Sequence, residues 1–172
     1  DGAFYGFSGI TSVLVEGELA HIGDGAFWDC TKLTSVTLKK NVKSIGENAF
    51  LGCKSLERVC AEGKLESIGN TAFSSCTNLK EIEIGAGATS IDDRAFRWAS
   101  NLTVLSIPGG VSHVGEQAFA GCGKLTGILF ADNLDSIGYD AFNGCTSLTR
   151  INIPNGLKMI AQSAFSGCEG LI

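Results

Sequence analysis

The sequence predicts an α/β repeat solenoid, in which each repeat pairs a short helical turn with a short strand and buries its apolar face by stacking on its neighbours. The first observation is an Ala-Phe pair that recurs eight times between Ala3-Phe4 and Ala164-Phe165, always after 23 residues and without insertion or deletion. The second is a change of apolar spacing inside each unit, from about three residues to two. The third is a turn after the alternating segment, as in Pro154-Asn155-Gly156.

The repeat at 137–154 shows how the elements are assigned. Four apolar residues in its first half are separated by one, three and three positions, which favours one side of about two helical turns. They are Ala141, Phe142, Cys145 and Leu148. Ile151 and Ile153 then alternate with period two, which predicts a strand. Leu157 and Ile160 re-enter the core and begin the next repeat.

Aligned on the 23-residue step, the apolar residues form columns that are expected to face one core. The leucine column is Ile10, Leu33, Leu56, Leu79, Leu102, Leu125, Leu148 and Leu171. The two strand columns are Val13, Val36, Val59, Ile82, Leu105, Ile128 and Ile151, and Val15, Leu38, Ala61, Ile84, Ile107, Phe130 and Ile153. Stacked strands lie about 4.8 Å apart, so these columns predict one parallel concave sheet of seven strands.

A further apolar column marks the junction between repeats. It is Ile22, Ile45, Ile68, Ile91, Val114, Ile137 and Ile160. Five of these residues are followed by glycine, for example at Gly115 and Gly138. Glycine permits a tight corner, so a corner before the helical turn is predicted here.

The repeat motif I-G-x-x-A-F-x-x-C-x-x-L-x-x-I-x-I-P resembles the BspA-like, or treponemal-type, leucine-rich repeats over the whole chain. Phe7 and Ala99 depart from its Cys position and Asp92 from its Gly position. The resemblance implies a right-handed leucine-rich-repeat superhelix. It also implies a cell-surface or secreted protein, of a family whose members bind host proteins or mediate adhesion, and it carries over no catalytic residue.

The repeats predict a single leucine-rich-repeat domain over residues 1–172, with seven strand-bearing rungs and a partial repeat at each end. The chain begins inside a repeat, and Leu171-Ile172 stands where another strand is due. We therefore expect a segment of a longer array, whose uncapped ends allow self-association.

Charge and hydropathy narrow the partner class. The formal net charge is −5, which disfavours nucleic acid and anionic membranes as partners. The apolar runs are only a few residues long, so neither a transmembrane helix nor a signal peptide is expected in this chain. A protein partner is what the family resemblance implies.

Six of the seven cysteines form one column, in two runs of three: Cys30, Cys53 and Cys76, then Cys122, Cys145 and Cys168. Neighbouring rungs lie within disulfide reach, yet each run holds an odd number and Phe7 and Ala99 fill the same slot, so buried reduced thiols are predicted. Cysteines stacked in one column cannot place four ligands around a zinc ion in a tetrahedron. Cys60 is the one thiol expected to reach solvent.

No catalytic, metal or cofactor site is predicted. His21 and His113 share a column four rungs apart, which is about 20 Å at 4.8 Å per rung, so they cannot form a dyad or share a metal. Columnar stacking offers no point where a serine, a histidine and a carboxylate converge. A binding module is therefore favoured over an enzyme.

The fifth repeat carries the clearest local irregularity. Trp98 replaces the glycine of other repeats and is flanked by Arg97. One interpretation, the favoured one, is that Trp98 covers volume lost at Ala99 and Ala88; the other is an exposed aromatic hot spot, which makes Arg97 and Trp98 secondary binding candidates.

The outward strand positions vary where the inward columns do not, so they are the predicted binding surface. The candidates are Arg58, Cys60, Glu62, Glu81, Glu83, Val104, Ser106, Leu129 and Asn152. The face is charged in its N-terminal half and apolar further on, and a merely solvated face does not explain Val104 and Leu129. With the family resemblance, the predicted function is a protein-binding module of a surface adhesin or virulence-type protein, and a host surface or matrix protein is the expected partner. A structural spacer is the alternative.

Overall fold

The computed structural model describes residues 1–63 and 65–172. These residues form fourteen short parallel strands and, within the same ranges, no helix. Odd-numbered strands stack in one lane and even-numbered strands in a second lane, with 23 residues between neighbours in each. The predicted repeat solenoid is therefore confirmed.

The first lane contains the two predicted strand columns. Its strands are β1 (Ser12–Val15), β3 (Ser35–Leu38), β5 (Arg58–Ala61), β7 (Glu81–Ile82), β9 (Val104–Ser106), β11 (Gly127–Leu129) and β13 (Arg150–Ile151). They form two sheets, β1-β3-β5-β7 and β9-β11-β13, where one continuous sheet was predicted.

Proline accounts for part of this interruption. In the N-terminal rungs a residue just past the strand donates its N–H to the preceding rung, as Lys39 does to Val15 O (3.0 Å) and Glu62 to Leu38 O (2.9 Å). The residue at this position after β9 is Pro108, which has no N–H to offer to Ile84 O. The ladder thus loses one of its regular bonds between β7 and β9.

The second lane is a continuous seven-stranded sheet. Its strands are β2 (His21–Ile22), β4 (Ser44–Ile45), β6 (Ser67–Ile68), β8 (Ser90–Ile91), β10 (His113–Val114), β12 (Ser136–Ile137) and β14 (Met159–Ile160). The glycines that follow serve close stacking of the rungs: a Cβ on Gly115 would lie 2.6 Å from Asp92 C, and one on Gly138 2.7 Å from Gly115 C. The predicted corner is thus preceded by an unpredicted strand.

The predicted helical turns are wrong, because the Ala-Phe segments are successive tight turns. In a helix every interior N–H bonds within its own segment. Here Phe119 N–H donates to Ala141 O of the next rung at 2.8 Å, while Ala118 N–H bonds back to Gly115 O. Positive φ values of 53° at Gln117 and at Asp140 break the helical path and let these segments pair between rungs.

One elongated core fills the space between the lanes and the turns. Phenylalanine rings from Phe4 to Phe165 stack with centroids 5.1 to 5.4 Å apart. The leucine column from Leu33 to Leu148 is fully buried. Buried thiols add bonds between rungs, since Cys53 Sγ donates to Phe27 O at 3.1 Å and Cys76 Sγ to Phe50 O at 3.1 Å.

The inward columns are less buried in the first and last rungs. Ile10 and Val13 are half-buried, whereas Ile153 and Ile160 are about half exposed. Ile153 and Ile160, which were predicted to point inward, are thus only partly covered. A rung covered on one side only cannot bury its apolar residues fully.

Candidate functional site

The candidate site is the outward surface of the first-lane strands, called the strand face below. Along β5 and β9 outward residues alternate with buried ones, as predicted. Arg58, Glu62, Glu81 and Glu83 lie exposed at its N-terminal end, and Val104, Ser106, Leu129 and Asn152 at its C-terminal end. Cys60 is half-buried between them.

The charges of the N-terminal half are paired from rung to rung. Arg58 forms an ion pair with Glu81, its register partner in the next strand. Lys39 Nζ lies 2.5 Å from Glu62 Oε1, and the neighbouring Lys80 lies 2.8 Å from Glu57. These pairs occupy much of the charge that sequence reasoning assigned to partner recognition.

Cys60 lies within this charged region and is held in its protonated form. Its Sγ donates a hydrogen bond to Glu83 Oε2 at 3.4 Å. Partial burial, that hydrogen bond and the negative charges of Glu83 and Glu62 raise the pKa of the Cys60 thiol above its ordinary value. The residue is therefore a polar contact on the face and a weak nucleophile.

The column thiols are free, as all seven cysteines are. Burial raises the pKa of Cys53 and of Cys122 to about 12. Cys168 is half-buried, so Cys60 is not the only thiol near solvent. The prediction of reduced thiols agrees with this arrangement, whereas the prediction of a single accessible thiol is wrong.

The C-terminal half of the face is apolar and contains a depression. Val104 and Leu129 expose 60% and 63% of their surface, and between them stands Gly127, the register partner of Val104. A Cβ built on Gly127 would meet nothing within 4 Å. The missing side chain thus leaves an open hollow, bounded by two exposed aliphatic side chains, over buried Ile128.

Arg150 borders the same hollow and was not among the predicted site residues. It is the register partner of Gly127 on the other side, and it is exposed. Arg58 and Lys39 each pair with a carboxylate 23 residues further on, whereas the equivalent position for Arg150 lies beyond residue 172. A glycine outward on a strand, followed 23 residues later by an arginine, was the available sequence signal.

Asn152 lies beside the hollow, but its amide group is engaged with the backbone. Its Nδ2 donates to Phe130 O at 2.8 Å, and its Oδ1 accepts from Phe130 N at 3.0 Å. The residue two positions on is Pro154, which cannot donate to Phe130 O as Lys39 does to Val15 O. Asn152 therefore supplies the missing donor, a role that sequence reasoning did not foresee.

The secondary candidates lie on the turns, away from the strand face. Trp98 is half exposed with φ 63°, unusual for a bulky residue, and its ring lies against Gly121 of the next rung. The Arg97 guanidinium stands 5.4 Å from the ring centroid. The contact that the structure gives for the ring is thus with Gly121, not the predicted cover of Ala99 and Ala88, and half of the Trp98 surface remains in solvent.

The histidines lie in the second lane and do not meet. His21 Nδ1 is 2.6 Å from Ser44 Oγ, and His113 Nδ1 is 2.7 Å from Ser136 Oγ, each across one rung step. Across residues 1–63 and 65–172, His, Cys, Asp and Glu do not gather in threes that could hold a metal ion. None of the described segments forms a helix with the length and apolar character of a membrane span.

Comparison with known proteins relates this geometry to a family. The description "BspA type Leucine rich repeat region" matches residues 1–126 and 89–172 in six copies. The curated proteins compared with the chain give no significant match.

Three solved structures are similar over most of the chain. A leucine rich cell surface protein of Faecalibacterium prausnitzii is 33% identical over 94% of this chain and 46% of its own, with a TM-score of 0.88. The Treponema pallidum leucine rich repeat protein is 25% identical over 95% of this chain and 78% of its own, with a TM-score of 0.90. A leucine-rich repeat protein of Bacteroides ovatus is 27% identical over 87% of this chain and 47% of its own, with a TM-score of 0.66.

This chain thus spans about half the length of the Faecalibacterium prausnitzii protein and most of the Treponema pallidum protein. The 23-residue rungs, their Ala-Phe turns and the matches over the whole chain lead to one conclusion. The protein belongs to the BspA-type leucine-rich repeat family.

Proposed function

We propose that the chain is a non-enzymatic protein-binding domain of a longer cell-surface or secreted protein, and that it recognises its partner on the strand face. Its place in a surface protein is supported by the Faecalibacterium prausnitzii relative, a cell surface protein more than twice as long as the matched region. An adhesin that contacts host surface or matrix proteins is the specific role proposed.

The exposure of Val104 and Leu129 is the observation that supports this function. Apart from Leu14 in the first rung, the other first-lane rungs carry polar or small residues at those two positions, so folding does not require large aliphatic residues there. Exposed aliphatic side chains gathered beside a charged rim are typical of the centre of a protein interface.

A displayed random peptide library tests the proposal. Peptides would be selected on the wild-type chain, and their affinity measured for Leu129→Glu and for a matched control, Ser90→Glu, on the outward side of the second lane. We expect the first substitution to abolish binding and the second to leave it unchanged. Enriched peptides that ignore Leu129→Glu, or no enrichment at all, would refute recognition on the strand face.

The alternative is a structural spacer, which a specific feature supports. The stacked phenylalanine column is continuous from the first rung to the last, and ion pairs such as Lys43 to Glu66 join neighbouring rungs. Such a rod would hold other domains apart without contacting a partner. A spacer would be indifferent to both glutamate substitutions, so the same measurement separates the two functions.

A further inference from the structure

The turn side of the fifth to seventh rungs carries a groove with an aromatic wall, called the indole groove below. Its volume is about 340 Å³, at the lower end of the range of about 300 to 1,000 Å³ that holds small molecules. The Trp98 indole lies over Gly121, and Gly144 of the next rung adds no side chain to the space beyond it. The polar side chains that line the groove are Arg97, Gln117, Asp140 and Asn143.

The tryptophan in this wall is not required by the fold. The equivalent positions of all eight repeats have positive φ, and glycine occupies five of them. Asp29 and Ser75, which stand at two others, are small and polar. Positive φ is an outlier for a bulky residue, and half of the Trp98 surface is exposed, so burial offsets the strain only in part. Glycine would serve the fold at least as well, so the indole calls for an explanation outside the core.

Arg97 is a second residue that folding leaves without a role. Its guanidinium lies 5.4 Å from the indole centroid, and its Nε is buried without a hydrogen-bond partner in residues 1–63 and 65–172. The equivalent residues of the two flanking rungs are Ser74 and Ala120, so neither rung offers a carboxylate at this position. Arg94, in contrast, binds Glu116 at 2.7 Å. A buried donor without a partner costs free energy, and a ligand oxygen that accepted its hydrogen bond would lower that cost.

The other polar side chains of the groove keep hydrogen-bonding atoms for a ligand. Gln117 Oε1 accepts from Arg94 Nε at 3.3 Å, which leaves the amide N–H groups of Gln117 for other partners. Asp140 Oδ1 accepts from Asn143 Nδ2 at 2.9 Å, which leaves the second carboxylate oxygen and the Asn143 carbonyl oxygen. Donors and acceptors thus stand together within two rung steps, about 10 Å. Arg97 and Asp140 balance each other in charge, so the groove favours neither an anion nor a cation.

From these features we propose that the indole groove binds a pyranose ring of a neutral glycan. A pyranose presents C–H groups on one face, which the negative face of an indole attracts, and hydroxyl groups around its edge, which both donate and accept. The ring would lie against Trp98, with its hydroxyl groups directed toward Gln117 and Asp140. This site goes beyond the proposed function, because it lies on the turns and takes a different class of ligand.

An array of immobilised glycans tests the inference. Neutral glycans that end in glucose, galactose, mannose or N-acetylglucosamine would be printed beside sulfated and sialylated ones. Each would be present as a protein-linked glycan and as a polysaccharide fragment, so the form that binds identifies the source of the sugar. The glycans that bind the wild-type chain would then be titrated with the variants.

The variants remove the indole or the carboxylate and keep the fold. Trp98→Gly installs the residue that five other repeats carry at this position, and Trp98→Phe keeps an aromatic ring. Asp140→Ala removes the carboxylate. Its matched control is Asn48→Ala, because Asn48 stands in the same column outside the groove and has a φ of 55° against 53° for Asp140. Circular dichroism would confirm that each variant folds.

We expect the wild-type chain to bind neutral glycans. Their affinity should fall by roughly tenfold or more in Trp98→Gly and in Asp140→Ala, and by much less in Trp98→Phe and Asn48→Ala. An array without bound neutral glycans, or glycan binding that survives Trp98→Gly, would overturn the inference. So would a blank array together with selected peptides that require Trp98, since the groove would then serve a protein partner.

The strand face supplies the control that separates this inference from the proposed function. Leu129→Glu should abolish peptide binding to the strand face and leave glycan binding unchanged. Glycan binding that disappeared in Leu129→Glu would place the sugar on the strand face and contradict the inference. Failure of the peptide selection alone would refute the proposed function and leave the glycan measurement intact.

Discussion

Proline at 108 and 154 stands at the position where Lys39 and Glu62 donate an N–H to the preceding strand, and it has no N–H to donate. At Pro154 the chain compensates with a side chain, since the Asn152 amide bonds both backbone groups of Phe130. At Pro108 the first lane divides into two sheets. Single residues thus determine which hydrogen bonds join neighbouring rungs.

Replacing Asn152 by alanine should destabilise the C-terminal rungs. The substitution leaves the N–H and C=O of Phe130 without their partner, and each lost hydrogen bond costs about 0.5 to 1.5 kcal/mol, so a total of roughly 1 to 3 kcal/mol is expected in urea unfolding. Asn133→Ala is the comparison, because Asn133 makes one backbone bond, to Gly109 O at 2.7 Å. Equal effects of the two substitutions would contradict the role assigned to Asn152.

Alkylation of Cys60 should be slow at neutral pH and should become faster in Glu83→Gln. The Glu83 carboxylate accepts the thiol hydrogen bond and repels the thiolate, so its removal lowers the pKa of Cys60 and increases the reactive thiolate at any pH below that pKa. In the wild type the rate should keep rising as the pH passes the ordinary thiol value of 9.0.

Labelling by iodoacetamide followed by mass spectrometry measures both rates. Cys76 serves as the internal control, because burial raises its pKa well above the ordinary value and encloses its sulfur. If the alkylation rate of Cys60 were unchanged in Glu83→Gln, the Glu83 carboxylate would not be what slows the reaction.

Among the elements, the strands of the first lane could be predicted and the turns could not. The residues Val59 and Ala61 alternate with outward ones and are buried as expected. The three-residue spacing from Phe142 to Cys145 to Leu148 fits a helix, but it equally fits successive turns with bonds between residues three apart, such as Cys145 N to Phe142 O. Only bonding between rungs, which no single repeat contains, decides between them.

The second lane and the hollow were missed for different physical reasons. A strand of two residues, such as Ser136–Ile137, is too short to display an alternating pattern. The hollow at Gly127 exists because glycine has no side chain, and its depth depends on the flanking Val104 and Leu129 side chains. The pairing of Arg58 with Glu81, in contrast, follows from the 23-residue step and could have been predicted.

Two glycine-to-alanine substitutions compare a glycine that is crowded by the neighbouring rung, Gly138, with one that faces open space, Gly127. A Cβ at Gly138 would lie 2.7 Å from the Gly115 carbonyl carbon, so the second lane must shift and a loss of about 1 to 3 kcal/mol is expected. Gly127→Ala meets no atom and should be neutral or stabilising by roughly 0.4 to 1 kcal/mol. The midpoint of thermal unfolding should therefore fall below that of the wild type in Gly138→Ala. In Gly127→Ala it should stay the same or rise.

In the whole molecule, stability passes from rung to rung through several parallel ladders. The two strand lanes, the bonds between Ala-Phe turns and the thiol-to-carbonyl bonds all join neighbouring repeats. Exposed ion pairs such as Lys158 to Asp135 add only a few tenths of a kcal/mol each. The core therefore holds the rungs together, and the residues of the strand face are free to vary.

The clearest consequence for the whole molecule concerns Phe142→Ala. The ring is fully buried, stacks between Phe119 and Phe165 at 5.2 Å from each, and meets Phe130 edge-on at 5.9 Å, so its removal should cost about 3 to 5 kcal/mol. Because each repeat is stabilised by its immediate neighbours, the loss should uncouple the rungs after 142 before it affects those around Phe73. Hydrogen exchange followed by mass spectrometry should show lost protection in 157–172 while 66–110 stays protected. Phe73→Ala is the control, with the first loss of protection expected around the third and fourth rungs. A single cooperative transition with the midpoint of the wild type would contradict the transmission of stability through this ring.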